Sequence, residues 1–189
     1  MSPKDREYEA LRREIEQLSE LQHSLCNIVY VGVAAILAWG INKNNSLVCL
    51  LTYCITFPSF YIMLSYNSGI IRMGAYIYVF YDEYFWEKRL HKINTDKKYK
   101  KLRYISSYRV PFTFTSIMCT ALSIMVAQQK YSPCSITYMT ISVLSLLLLL
   151  SFCIYAFSQK NYDELKEVYI SAFQTMKDEE LGKHIYPLN

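Results

Sequence analysis

Glu83, Glu87 and His91 recur every four residues, so on a helix they share one face. Two carboxylates and an imidazole so placed can hold a metal ion or move a proton. Lys88, Arg89 and Lys92 stand beside them, and pairing of opposite charges along a helix accounts for the set without either chemistry. A few residues on, "NTDKKYKKLRYISSYR" (94–109) carries six Lys/Arg with Tyr99, Tyr104 and Tyr108 set among them. Cations neutralise phosphate and aromatic rings stack on bases, which is what a single strand or a nucleotide requires. The candidate phosphate-binding residues are Lys97, Lys98, Tyr99, Lys100, Lys101, Arg103 and Tyr104. The same cations can instead orient membrane spans or attract anionic lipid, at about 1 kcal/mol per Lys or Arg near the surface.

A second set is uncharged. Thr113, Ser116, Thr120 and Ser123 fall three, four and three apart, and Thr52, Thr56 and Ser59 fall four and three apart, with Pro58 beside them. Each row occupies one face of a helix. Such rows either let apolar helices approach and bond across their interface, or line a narrow polar pore shared by several subunits. The motifs of nucleotide-binding loops, serine hydrolases and zinc proteases are missing, and His23, His91 and His184 are scattered. No enzyme is expected. The six cysteines form no C-x-x-C pair and no His partners them at zinc spacing, so neither a metal nor another cofactor is expected.

The elements that position these residues follow from where charge is missing. Asp, Glu, Lys and Arg are absent between Glu20 and Lys43, from Asn44 to Ile71, from Val110 to Gln129 and from Tyr131 to Gln159. About 20 apolar residues cross about 30 Å of hydrocarbon as a helix, so four spans are predicted. Of the 20 Lys/Arg, 18 lie in the N-terminal tail, the middle segment 67–109 and the C-terminal tail. Four crossings place those three regions on one side, and positive charge marks the cytoplasmic side. The expectation is an all-α, multi-pass protein of the inner (plasma) membrane with both termini cytoplasmic. Its segments are a cytosolic amphipathic helix (1–23), a transmembrane hairpin (24–66), a cytosolic aromatic and basic segment (67–109), a second hairpin (110–158) and a C-terminal cytosolic helix (159–189).

Tyr8, Leu11, Ile15, Leu18 and Leu25 take heptad a and d positions, with Gln22 as the polar exception. So short an amphipathic helix needs a partner, which makes Leu11, Ile15 and Leu18 candidate interface residues for a second copy or a soluble protein. At the other end Asn161 and Glu164 read as a helix start. Leu165, Tyr169, Ala172, Phe173 and Met176 read as its apolar stripe, and Gly182 as its stop. In the middle segment Met73, Ile77, Phe80 and Tyr84 form a stripe broadened by Tyr76, Val79, Trp86, Leu90 and Ile93. It suits an interfacial helix or a cytosolic extension of span 2.

The layout resembles the small multi-span membrane effectors of bacterial anti-phage systems. The likeness rests on "YEALRREI" leading into span 1, the Tyr-rich "AYIYVFYDEYFWE" and the basic "KKYKKLR". Two members of that group are the oligonucleotide-gated channel subunit of Hailong-type systems and the membrane accessory protein of type VI-B CRISPR systems. It implies a homo-oligomeric pore, gated at its basic cytosolic face by an oligonucleotide, a nucleotide or a partner protein, and it assigns no residue a role. The alternative is a non-conducting scaffold that sits among membrane lipids and recruits a soluble partner through its amphipathic helices.

Overall fold

The computed structural model describes residues 3–81, 109–158 and 162–185, and all regular structure among them is helical. The helices are α1 (Pro3–Asn42), α2 (Ser46–Leu50), α3 (Thr52–Phe80), α4 (Arg109–Lys130), α5 (Ile136–Ser158) and α6 (Tyr162–Ile185). Four helical stretches are long and apolar enough to cross a membrane: α1, α2 with α3, α4 and α5. They match the four predicted spans in number and order.

The chain forms two compact units, and both α1 and α3 contribute to each. The apolar unit contains Gln22–Leu64 and Ser106–Gln159. Val29, Val33, Leu50, Tyr53, Phe60, Met63, Phe112, Cys119, Phe152 and Ala156 form its core. Three aromatic rings centre it. Phe60 meets Phe112 at 5.5 Å and Phe152 at 5.3 Å, both edge-on, the arrangement that ring quadrupoles favour. Large apolar side chains cover the outside of these helices, among them Ile28, Val31, Phe114, Leu147, Leu150 and Ile154. Lipid tails can solvate such a surface and water cannot.

The turn from α1 to α2 is tight and specified by its residues. Asn44 takes a left-handed φ of 47°, a conformation Asn tolerates better than most residues. The Asn45 amide N–H donates to the Gly40 carbonyl at 2.9 Å, and the Asn45 side chain accepts from Leu47 N at 3.1 Å, capping α2. Gly40 has to be small, because a Cβ there would lie 2.6 Å from Cys49 Sγ. Leu51 interrupts the helix between α2 and α3. The turn is held by i to i+3 backbone bonds, Leu51 N to Val48 O and Cys54 N to Leu51 O, and by Thr52 Oγ1 donating to Cys49 O at 2.6 Å. Pro58 sits inside α3, where its missing N–H leaves one turn of the helix ladder open.

The charged unit contains Met1–Leu21, Ser65–Ile105 and Lys160–Asn189. In it the start of α1 and the end of α3 run antiparallel. Leu18 meets Gly69, where an added Cβ would lie 3.0 Å from Leu18 Cδ1, and Tyr8 stacks near Tyr81 with ring centres 5.6 Å apart. Helix α6 packs on α3 through Ala75, Val79 and Ile170, joined by Tyr78, Phe80, Tyr169 and Phe173.

Two expectations about α6 are corrected. Gly182 does not stop it; the helix continues to Ile185. One glycine costs a helix only about 1 kcal/mol, and a stronger barrier lies further on, since a residue before a proline such as Pro187 disfavours the α conformation. The inward stripe is also shifted at one edge. Leu165, Tyr169 and Phe173 are half-buried as expected, but Ala172 and Met176 are exposed, and Lys166 and Ile170, buried, and Lys177, half-buried, complete the inward side in their place.

Candidate functional site

Both hydroxyl rows are turned into the interior of one chain. Thr52, Thr56 and Ser59 from α3 and Ser116, Thr120 and Ser123 from α4 are all buried. Several of them bond their own helix: Thr56 Oγ1 donates to Thr52 O at 2.9 Å and Ser116 Oγ to Phe112 O at 3.0 Å. Back-bonding to the previous turn is the usual fate of a hydroxyl on a helix that water does not reach.

Other groups join the helices together. Tyr53 donates its phenol proton to Ser116 O at 3.0 Å, and its oxygen lies 2.7 Å from Thr120 Oγ1, so Thr120 donates in return. Ser123 Oγ donates to Ser46 O at 3.1 Å, tying α4 to the start of α2. Ser145 on α5 donates to Ile141 O at 2.7 Å and lies 3.4 Å from Ser123 Oγ. The result is an uncharged polar seam through the middle of the apolar unit. It can hold helices in register.

Thr113 stands apart from the seam. It is half-buried, and its Oγ1, like Ser142 Oγ on α5, is shielded and has no hydrogen-bond partner. Tyr53, Ser46 and Ser145 were not singled out from the sequence. Tyr53 carried one faint sign, its position beside Thr52, while Ser145 is hidden within a leucine run.

In the charged unit Leu11, Ile15 and Leu18 are all half-buried on one side of α1, the side on which Leu18 approaches Gly69. Their seam is therefore partly used within the chain. Near them Tyr76 donates to Glu7 Oε1 at 2.9 Å, and Tyr76 packs between Phe80, at 4.6 Å between ring centres, and Phe173, at 5.4 Å. From α6, Lys177 Nζ donates to Val79 O at 2.8 Å and Ser68 Oγ lies 3.1 Å from Tyr169 OH. A lysine on the last carbonyls of a helix satisfies an acceptor that the helix leaves open and complements its negative end.

The phosphate-binding candidates Lys97, Lys98, Tyr99, Lys100, Lys101, Arg103 and Tyr104 lie outside the described residues, as do Glu83, Glu87 and His91. Among the described residues, no group of three His, Cys, Asp or Glu is placed to hold a metal ion. No family model, no curated protein and no solved structure matches the chain.

Proposed function

We propose that this chain is a membrane scaffold: four spans anchor a cytosolic three-helix unit that holds a soluble partner at the plasma membrane. One observation carries this reading. Five of the seven hydroxyls that could line a pore, Thr52, Thr56, Ser116, Thr120 and Ser123, are spent on bonds inside a single chain, and the outer surface left to the spans is mostly apolar, with Asn27, Thr137, Thr140 and Ser151 as exposed polar exceptions. A ring of such chains in this conformation offers an ion few polar groups, and dehydrating an ion beside apolar side chains is prohibitive.

A second reading is favoured by Thr113 Oγ1 and Ser142 Oγ, polar atoms held in the spans without partners. In it the described conformation is the closed state of a homo-oligomeric pore of the anti-phage effector kind, and an oligonucleotide or nucleotide on Lys97–Tyr104 would open it.

One experiment decides between them. The full chain is reconstituted into liposomes loaded with an ion-sensitive dye, and flux is followed with and without short oligonucleotides. The scaffold reading expects none in either case. Flux that appears with oligonucleotide, and is lost in Thr120→Val or Ser123→Val protein, would overturn the scaffold and establish the pore.

A further inference from the structure

Among its described side chains, helix α6 sorts its charges by side. Lys166 is 2% exposed and Lys177 turns in to the Val79 carbonyl, whereas Glu164, Glu167, Asp178, Glu179 and Glu180 are all exposed. Val168, Ala172 and Met176 stand exposed among those carboxylates, Val168 at 48% and Met176 at 52%. Residues four apart stay on one side of a helix, so the outward side is an apolar strip within an acidic field. Anionic lipid is repelled by such a surface. It suits an amphipathic segment that is strongly cationic.

The chain itself contains one. Residues 88–103, outside the described part, carry eight Lys/Arg against the single acidic Asp96, with Leu90, Ile93 and Leu102 interspersed. We propose that the outward face of α6 in one copy receives residues 88–103 of a second copy. Two different surfaces meet in this contact, so two copies can exchange it reciprocally about a two-fold axis, or it can run head to tail into a ring or chain of subunits. It goes beyond the scaffold reading and does not depend on it, since a conducting and a non-conducting protein could both assemble this way.

A charge exchange between copies tests it. Full-length protein in nanodiscs or mild detergent is sized as wild type, as an acid-reversed chain (D178K/E179K/E180K), as a base-reversed chain (K97E/K98E/K100E/K101E), and as a mixture of the two variants. Wild type is expected to assemble at low salt and come apart as salt screens the charges. Each variant alone should associate about tenfold or more weakly, because its two surfaces now carry like charge. The mixture should reassemble, since each variant then presents the other with an opposite charge. Far-ultraviolet circular dichroism checks that both variants keep their helices. If a reversed chain fails to fold, the neutral set D178N/E179Q/E180Q must still weaken assembly. A mixture that stays dispersed overturns the proposal, as does assembly indifferent to both salt and reversal. Wild-type assembly that dissolves with nuclease also overturns it, and assigns the basic segment to nucleic acid.

Discussion

Tyr53 on α3 reaches across to α4, where its oxygen lies 2.7 Å from Thr120 Oγ1 and 3.0 Å from the Ser116 carbonyl. This one phenol closes two bonds between the helices in a region with no water to replace them. Replacement by Phe removes both interhelical bonds while keeping the ring packed near Phe57. Interhelical hydrogen bonds in membrane proteins are worth about 0.6 kcal/mol on average and up to about 1.7, so Tyr53→Phe should cost about 1–2 kcal/mol. Ser116→Ala should cost less, because the Ser116 hydroxyl bonds only its own helix. Thermal unfolding in a single detergent should therefore rank wild type, Ser116→Ala, then Tyr53→Phe. The reverse order would mean that the seam does not join the helices.

Gly40 gives a second stability test. Ala at this position would place a Cβ 2.6 Å from Cys49 Sγ and 3.3 Å from both Asn45 O and Cys49 N. Overpacking of this kind costs about 1–3 kcal/mol. Gly40→Ala should lower the melting temperature, and adding Cys49→Ala should recover part of the loss by removing the sulfur. Recovery can be only partial, because the two backbone contacts remain. A double variant no better than Gly40→Ala would show that the sulfur is not the obstacle.

The spans were legible because hydrocarbon excludes charge, and that exclusion writes itself directly into the positions of Lys, Arg, Asp and Glu. The faces of Ser116, Thr120 and Ser123 were legible from helical spacing alone. What the faces meet was not. Tyr53 joins Thr120, and Ser123 joins Ser46, through the rotation and axial offset of two helices, and periodicity within one helix carries neither quantity. Lys166 and Lys177 misled for a related reason. A lysine ordinarily marks the solvent side of a helix, but Lys177 is drawn inward by the open carbonyl of Val79 at the end of α3. That end could be placed only once α3 was known to run on to Phe80.

Lys177 should therefore matter to α3 more than to its own helix. Replacement by Met keeps an unbranched apolar side chain and removes both the donor at 2.8 Å from Val79 O and the ammonium 5.9 Å from the centre of the Phe80 ring. A hydrogen bond from a charged group is worth about 1.5–3 kcal/mol. Lys177→Met should speed hydrogen exchange at the end of α3 while leaving exchange in α4 and α5 unchanged. Lys177→Arg, which keeps a cationic donor, should stay close to wild type. Uniform loss of protection across all helices would contradict a local role.

Orientation is the last expectation and the one on which the others' biology depends. Of the 20 Lys/Arg, 18 fall in the two tails and the middle segment, so these regions should be cytosolic and the turn between α4 and α5 should face outward. Cys134 lies in that turn and is exposed. A membrane-impermeant maleimide should label it in sealed right-side-out vesicles, and Cys134→Ser should remove that label. Ser171 is exposed on α6, so Ser171→Cys in the Cys134→Ser background should be labelled only in inside-out vesicles. The opposite pattern would put the acidic face of α6 and the basic segment outside the cell. Contact between the acidic face of one copy and the basic segment of another could survive that inversion, because both of its surfaces would move together. A cytosolic partner could not be recruited from there, and the scaffold reading would fall.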